Sequence, residues 1–222
     1  RERGARREDG RWVLTMRDDG GTEHVVRARA LVNAAGPWVE EVLGRVAGQN
    51  SRRRVRLVKG SHIVVRKFWR GSQAYLFQNT DRRVIFVNPY EGDLALIGTT
   101  DIPYSGRPDD VAIDEAEIDY LLAAMNRYSR TALGRADILH AFSGVRPLYD
   151  DAAENPSAVT RDYVFELDEP DGAAPLLSVF GGKITTYRKL AEHALDRLKH
   201  AFPQAGGAWT GTAPLPGGDV GA

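Results

Sequence analysis

The residues with the clearest chemical potential lie in Ser178-Val-Phe-Gly-Gly-Lys-Ile-Thr-Thr-Tyr187. Gly181 and Gly182 stand between an apolar run typical of a buried strand and a stretch with apolar residues at helical spacing. A strand that turns through glycines into a helix presents free backbone N–H groups and the positive end of the helix dipole at one point. Such a point suits an anion or an electron-rich ring, and Lys183 adds a full positive charge there. A purely structural helix with a solvated lysine would explain the same pattern.

Two arginines could bind an anionic substrate. Arg146, in Phe142-Ser-Gly-Val-Arg-Pro147, follows a predicted strand and precedes a proline. A guanidinium fixed at a strand end can grip a carboxylate or a phosphate in bidentate fashion. Pairing with the acidic residues at 150–151 would instead make it an ordinary surface arginine. Arg161 is followed directly by an aspartate, which favours a local ion pair more strongly still.

His62 is the one histidine of five that we retain as an acid or base, because it opens a predicted strand after a glycine and imidazole titrates near neutral pH. Thr99-Thr-Asp101 could position a ligand, although a turn at the end of a strand explains it equally well. No H-E-x-x-H, G-x-S-x-G or clustered carboxylate motif occurs. The sequence therefore predicts no metal site and no serine triad.

The composition narrows the class of protein. With 222 residues, 42% hydrophobic and 27% charged, the chain is ordinary for a soluble globular protein with a real core. Thirty basic and thirty acidic side chains balance, so charge indicates neither a nucleic acid nor an anionic membrane as partner. The absence of cysteine excludes disulfides and cysteine nucleophiles and is compatible with a reducing cytoplasm. No apolar stretch approaches the roughly 20 residues of a membrane span, and no secretory signal is visible.

The elements ahead of these residues indicate an α+β fold. Two β-rich runs around an Asp/Gly turn predict a hairpin over residues 11–28, and residues 30–36 read as a short buried strand ending in small residues. Pro37 suits the first position of a helix that closes near Gly48. No G-x-G-x-x-G phosphate-binding fingerprint occurs in this unit or elsewhere in the chain.

The middle of the chain predicts an antiparallel sheet, because β-rich runs separated by turn residues cover 55–58, 61–65, 74–78, 83–87 and 94–97. Asp114 and Glu117 form a capping box for a helix whose apolar face should pack over this sheet. Further strands are predicted over 138–142 and 163–167. Residues 203–222 are rich in Gly, Pro and Ala and predict a linker.

Five segments together resemble the aerobic, FAD-dependent glycerol-3-phosphate dehydrogenases, in the same order along the chain. Any one alone would be a weak signal, whereas five ordered matches are specific. The segments are Lys59-Gly-Ser-His-Ile-Val-Val65, Ile97-Gly-Thr-Thr-Asp101, Phe142-Ser-Gly-Val-Arg-Pro147, Thr160-Arg-Asp-Tyr163 and Ser178-Val-Phe-Gly-Gly-Lys-Ile-Thr-Thr-Tyr-Arg-Lys189. The resemblance implies an antiparallel-sheet substrate domain with packed helices, plus part of a Rossmann-like FAD domain.

By this resemblance, residues 1–58 are the C-terminal remainder of a segment of the FAD-binding domain, and residues 59–175 form the substrate-binding domain. Residues 176–202 return to the FAD domain as a strand and a helix, and residues 203–222 lead to a further domain. The family's N-terminal dinucleotide-binding unit and helical C-terminal domain have no counterpart in these 222 residues. We therefore expect a piece of a longer protein that, in isolation, binds FAD poorly and lacks dehydrogenase activity.

The resemblance implies FAD as the cofactor. The helix beginning at Gly181 would aim its N-terminus at the flavin, where negative charge develops on reduction. The implied cofactor-binding residues are Ala35, Gly36, Trp38, Gly181, Gly182, Ile184 and Thr185.

The resemblance also implies oxidation of sn-glycerol 3-phosphate to dihydroxyacetone phosphate, with a hydride passed to flavin and electrons passed onward to membrane quinone. Arg146, Arg161 and Lys183 match the family's substrate-binding positions. We expect Arg146 at the reacting hydroxyl, and Arg161 and Lys183 on the phosphate. Arg146, Lys183 and, more weakly as the base, His62 are the expected catalytic residues.

Two alternatives stay open. An amine or amino-acid oxidase of the same superfamily would use a strand-end arginine for a carboxylate, although three basic residues favour phosphate. A non-catalytic ligand-binding or assembly module is the alternative from a different class. No nucleic-acid partner is indicated, and a homo-oligomer stays open. The resemblance implies a full-length protein that is peripheral on the inner face of the cytoplasmic membrane.

Overall fold

The computed structural model describes residues 2–49, 53–150 and 162–220. These residues form two compact units: Arg56–Pro147 make up unit 2, and the remaining described residues make up unit 1. This division differs from the predicted boundaries after residues 58 and 175, because residues 56–58 lie in unit 2 and residues 148–150 and 162–175 lie in unit 1. The physical reason is strand pairing, since the strand Tyr163–Asp168 pairs along its whole length with the strand Leu176–Gly181.

Unit 1 begins with an antiparallel three-stranded sheet of β1 (Glu2–Glu8), β2 (Arg11–Arg17) and β3 (Glu23–Ala28), in that order. The predicted hairpin is therefore confirmed as β2 and β3. Strand β1 was not predicted, because its sequence ERGARRE is nearly all polar and shows no alternation. It is a strand because it pairs with β2, whose Trp12 is buried in the core of unit 1.

The second sheet of unit 1 contains β4 (Leu31–Asn33), β11 (Tyr163–Asp168) and β12 (Leu176–Gly181). Strand β12 lies in the middle, parallel to β4 and antiparallel to β11. Both faces of β12 are buried, which explains its unbroken apolar run. One face packs in a cluster that includes Trp12, Val39, Leu43, Leu176 and Phe180, and the other packs in a cluster of Leu177, Ala194 and Leu198.

Helical segments follow β4 and β12. After β4, a 3-10 turn (Gly36–Trp38), α1 (Val39–Glu41) and a π-helical turn (Val42–Val46) run on from the predicted start at Pro37. After β12, a 3-10 turn (Ile184–Thr186) precedes α3 (Tyr187–Leu198). The expectation that this helix begins at Gly181 was wrong, because Gly181 is the last residue of β12 and pairs with β11.

The sheet of unit 2 contains β5 (Val55–Arg66), β6 (Tyr75–Gln78), β7 (Val84–Tyr90), β8 (Leu94–Gly98), β9 (Ile102–Tyr104) and β10 (Ile138–Tyr149). The strand order is β10-β5-β8-β7-β6, with β9 also paired to β5, and the pairs among β5 to β9 are antiparallel. Lys59 and Gly60 continue the ladder, so two predicted runs form the single long strand β5. The predicted α+β class is confirmed.

Helix α2 (Glu115–Tyr128) covers one face of this sheet and begins with the predicted capping box of Asp114 and Glu117. Its Leu121 and Met125 are buried in one cluster with Ile63 and other sheet residues. In unit 1, the described part of the tail forms turns, and Thr210 in it donates to a carboxylate of α3. Within the described ranges, no helix is long and apolar enough to cross a membrane.

Candidate functional site

Arg146, on β10, is held by two side chains of the segment between β8 and β9. Its Nη1 donates to Oδ1 of Asp101 at 2.6 Å, and its Nη2 donates to Oγ1 of Thr99 at 3.0 Å. Asp101, which lies 45 residues earlier in the sequence, is therefore an ion-pair partner of Arg146. Asp151, one of the two acidic neighbours considered as partners, lies outside the described residues. About a third of the arginine side chain, 32%, stays exposed. A guanidinium oriented in this way and still open on one side can receive an anion.

Gly60 explains how the guanidinium comes so close to the β5 backbone. A Cβ at this position would lie 2.5 Å from Nη2 of Arg146 and 2.6 Å from Oγ1 of Thr99. Any residue other than glycine would displace the arginine or the threonine. Sequence reasoning did not select Gly60 as a site residue, although it lies inside the Lys59-Gly-Ser-His62 motif.

His62 lies in the same unit and pairs in register with Gly98 of β8. Its ring rests on Gly98, where a Cβ would approach Cγ and Nε2 to 2.7 Å, and it stacks on Phe142 with ring centroids 5.2 Å apart. Its Nδ1 is buried and has no hydrogen-bond partner among the described residues. Burial, aided by the positive charge of Arg146, lowers the pKa of His62 below its ordinary value. The ring is therefore neutral near pH 7 and can accept a proton.

A second set of predicted residues comes together at one edge of the β11-β12-β4 sheet in unit 1. Because β4 and β12 are parallel, with Asn33 opposite Ser178, their carboxyl ends lie at the same edge. Ligands of open α/β sheets bind outside this edge. The chain leaves β4 through Ala35, Gly36 and Trp38 and leaves β12 through Gly182, Lys183, Ile184 and Thr185.

Asn33 shapes the turn after β4 and was not selected from the sequence. Its side chain is buried, donates to the carbonyl of Val39 at 2.9 Å and accepts from the N–H of Ala35 at 3.3 Å. These bonds hold the small residues between strand and helix in place, with Gly36 at a φ of 56°. A polar residue inside the apolar run of residues 30–35 was the available signal.

The turn after β12 is set by backbone conformation. Gly181 and Gly182 have φ angles of 75° and 99°, and a Cβ at Gly181 would lie 2.7 Å from the carbonyl oxygen of Asp162. Lys183 and Thr185 are exposed, and Ile184 exposes 85% of its surface. A large apolar side chain beside the N–H groups of a helical first turn suits a flat, electron-rich ring.

Lys183 belongs to unit 1, whereas Arg146 and His62 belong to unit 2. Arg161 lies outside the described residues. The structure thus brings Arg146 and His62 into one cluster and brings the predicted cofactor residues to one sheet edge.

Comparison with known proteins assigns the family. The model of FAD dependent oxidoreductases (DAO) matches residues 1–188, so the chain belongs to this family. The chain is 65% identical over 217 residues to D-erythritol 1-phosphate dehydrogenase of Brucella abortus, covering 97% of the chain and 43% of the relative. It is 52% identical over 215 residues to glycerol-3-phosphate dehydrogenase of Pseudomonas aeruginosa, covering 97% and 42%.

Among solved structures, the glycerol-3-phosphate dehydrogenase of Bacillus halodurans complexed with FAD matches with a TM-score of 0.79 and 28% identity. The match covers 99% of this chain and 42% of that one. The match confirms that the chain is part of an FAD-dependent oxidoreductase and confirms the predicted cofactor, FAD. The chain spans about two-fifths of the length of these relatives.

The residues present fit a flavin. The turns after β4 and β12 offer small residues, backbone N–H groups and the exposed Ile184 at one edge. Ala35, Gly36 and Trp38 on one turn would hold the cofactor together with Gly181, Gly182, Ile184 and Thr185 on the other.

Proposed function

We propose that the full-length protein is an FAD-dependent dehydrogenase that oxidises a secondary hydroxyl of a small polyol phosphate. The first candidate substrate is sn-glycerol 3-phosphate, which would give dihydroxyacetone phosphate. The observation that carries this proposal is the cluster of Arg146 and His62, in which a fixed cation lies beside a neutral imidazole whose buried Nδ1 has no hydrogen-bond partner among the described residues. Oxidation of an alcohol needs a group that orients the hydroxyl and a group that accepts its proton.

In this proposal, Arg146 binds the oxygen of the reacting carbon while Asp101 and Thr99 keep the guanidinium in place. His62 accepts the hydroxyl proton, and the C–H hydrogen leaves as a hydride with its electron pair. FAD supplies the hydride acceptor. Lys183 and Arg161 are proposed to bind the phosphate, a dianion that two cations would neutralise.

D-Erythritol 1-phosphate is the second candidate substrate. The relative that bears this substrate in its name is 65% identical to the chain, against 52% for the glycerol-3-phosphate dehydrogenase of Pseudomonas aeruginosa. Both candidates carry a phosphate and a secondary hydroxyl, so the same cationic groups serve either one.

The experiment records the flavin absorbance of the anaerobic full-length protein before and after addition of each compound. Bleaching by glycerol 3-phosphate or D-erythritol 1-phosphate, but not by unphosphorylated glycerol or erythritol, is the expected result. The ratio of the two reduction rates identifies the substrate. Bleaching by glycine or D-alanine alone would assign the protein to the amine or amino-acid oxidases. A flavin-loaded protein that none of these compounds bleaches would contradict the proposal and favour a binding module.

We further propose that the full-length protein passes its electrons to membrane quinone and associates peripherally with the inner face of the cytoplasmic membrane. Steady-state turnover with a soluble quinone, compared with turnover under oxygen alone, tests the acceptor. The 222-residue chain by itself is proposed to be inactive. A yellow, active preparation of this chain would contradict that part.

A further inference from the structure

The most deeply buried charged side chain in the described part of unit 2 is Glu117 on α2, which is 1% exposed. Its Oε1 accepts from the hydroxyls of Ser61 and Thr100, each at 2.7 Å. Its Oε2 lies 2.7 Å from Nζ of Lys59 and accepts from the N–H of Asp114 at 3.1 Å. Because a buried carboxylate is costly unless its lone pairs are satisfied, this complete set of donors indicates a fixed position.

Glu117 is ionised in this environment. Burial disfavours the charged form, but hydrogen bonds from Lys59, Thr100 and Ser61 outweigh burial and hold the pKa of Glu117 below its ordinary value. Burial lowers the pKa of Lys59, but the hydrogen bonds of its ammonium group to Glu117 and Asp114 outweigh this effect and raise the pKa above its ordinary value. The pair therefore stays charged across the neutral range.

The donors to Glu117 alternate along the chain with residues of the Arg146 and His62 cluster. In β5, Lys59 and Ser61 contact Glu117, whereas the residues next to them, Gly60 and His62, belong to the cluster. Successive side chains of a strand point to opposite faces, so each residue that Glu117 holds fixes a neighbour on the site side.

The same alternation occurs after β8. Thr100 contacts Glu117, while Thr99 and Asp101 on either side of it bind Arg146. Oγ1 of Thr100 also accepts from the N–H of Ser61 at 2.9 Å, which joins the two segments directly.

Strand β10 is the third segment that is linked to Glu117, through the hydroxyl of Ser61. Oγ of Ser61 lies 2.6 Å from Oγ of Ser143, and the neighbour of Ser143, Phe142, stacks on the His62 ring. One carboxylate thus lies behind all three chain segments whose other face carries Arg146, His62 and their partners.

We propose that Glu117 is a positioning residue that sets the geometry of the Arg146 and His62 cluster from behind the sheet. It acts through Ser61 and Thr100 and does not itself contact the substrate. The inference rests on the proposed function where its effect is measured as a rate of flavin reduction. The position of His62 can also be monitored through the pKa of its imidazole, without any substrate.

The first test compares Glu117→Gln with Glu115→Gln in the full-length protein. Glu115 lies two positions earlier, at the start of the same helix, but its side chain is 78% exposed and pairs with Arg135. Glu117→Gln removes the charge facing Lys59 and forces the hydroxyl donors to rearrange. We expect at least a tenfold loss in the rate of flavin reduction at saturating polyol phosphate, with the bound FAD retained. Glu115→Gln should stay within twofold of the wild type. Equal rates for Glu117→Gln and the wild type would overturn the proposal.

A second pair of variants covers the case in which Glu117→Gln does not fold. Thr100→Val keeps the shape of the side chain but loses the hydroxyl, whereas Thr100→Ser keeps it. A severalfold loss of reduction rate with valine that serine restores supports the network. Equal rates for the valine and serine variants would contradict it.

The third measurement separates this inference from the proposed function. The His62 imidazole is titrated by NMR in histidine-labelled full-length protein without substrate. In the wild type we expect its pKa below the ordinary value of 6.5.

Glu117→Gln or Thr100→Val should move the pKa of His62 towards 6.5, because the ring leaves its place between Gly98, Phe142 and Arg146. Glu115→Gln should leave this pKa unchanged. If neither polyol phosphate bleaches the flavin yet His62 shifts in this way, the proposed function fails and the positioning role stands. An unchanged His62 would overturn the positioning role.

Discussion

The two candidate sites differ in what holds them. In unit 2, side chains hold Arg146 and His62: an ion pair, a hydroxyl, a stacked phenyl ring and two glycines on which the groups lie. In unit 1, backbone conformation sets the turn after β12, while Lys183 and Thr185 are exposed and the Thr186 side chain does not cap α3. In unit 2, side-chain contacts fix the positions of individual functional atoms. In unit 1, backbone conformation fixes the shape of a surface.

The proposed function gives this difference a chemical reason. A proton acceptor and a cation at a reacting carbon must be placed within a fraction of an ångström, which requires surrounding side chains. A large planar cofactor is bound over many contacts, so N–H groups and the absence of side chains are sufficient. Substitutions should therefore affect catalysis in unit 2 and cofactor retention in unit 1.

The largest expected effect is that of Arg146→Ala in the full-length protein. In the proposed function, this guanidinium stabilises negative charge that develops on the substrate oxygen in the transition state. Its removal costs about 3 kcal/mol or more of that stabilisation, which lowers the rate of flavin reduction roughly 100-fold or more. Stopped-flow flavin reduction measures the loss, and the absorbance of the purified protein reports the retained FAD. Arg135→Ala is the matched control, because Arg135 forms ion pairs with Glu115 and Asp119 at the surface. Near-normal reduction by Arg146→Ala would remove this residue from the site.

Gly60→Ala should have the next largest effect, because the alanine Cβ would lie 2.5 Å from the Arg146 guanidinium. We expect a loss of flavin reduction of roughly tenfold to 100-fold, since misplacement by about an ångström is enough for such an effect. The control is Gly134→Ala, outside the sheet, where the nearest atom to a Cβ would be Oδ2 of Asp137 at an ordinary 3.8 Å. If the two variants reduce flavin equally fast, the close approach of Arg146 to β5 is unimportant.

Gly181→Ala tests the backbone-defined site. Its φ of 75° and the approach of a Cβ to the Asp162 carbonyl at 2.7 Å make alanine strained by about 1–3 kcal/mol. We expect a lower ratio of FAD to protein after purification, with reduction of the remaining FAD affected much less. Gly44→Ala is the control, because a Cβ there meets nothing within 4 Å. Full FAD content together with slow flavin reduction would contradict the expectation that this turn serves cofactor retention and not catalysis.

The smallest expected effect is on the pH dependence. Burial and Arg146 lower the pKa of folded His62, so the neutral form persists below the ordinary value of 6.5. The acid limb of flavin reduction should therefore lie below pH 6.5 and should disappear in His62→Asn. His24→Asn, in the hairpin of unit 1, should leave it unchanged.

The same shift predicts the direction of a stability effect. Because the pKa is lower in the folded chain, the unfolded chain binds the proton first as the pH falls. The contribution of His62 to stability is therefore present above pH 6.5 and is lost as the pH falls through the folded-state pKa. Denaturant unfolding of the wild type and of His62→Asn at several pH values measures this difference, and parallel curves would contradict it.

The sequence by itself determined the local elements and the family. The apolar run of β12 ends in two glycines, and the capping box of α2 precedes an amphipathic helix, so both were recognisable within a few residues. Five ordered motifs were sufficient to predict an FAD-dependent fold. These signals are short in range, because hydrophobic period, cap and turn act between near neighbours.

Only the tertiary structure determined which residues distant in the sequence contact one another. Asp101 binds Arg146 across 45 residues of sequence, and β4 pairs with β12 although most of the chain separates them. Glu117 follows a capping pattern in the sequence, yet the fold buries it against β5. The same carboxylate therefore also binds Ser61 and Thr100 and, through Ser61, is linked to Ser143 of β10. No local period encodes which distant strand lies alongside, because that choice depends on how the whole sheet packs and pairs.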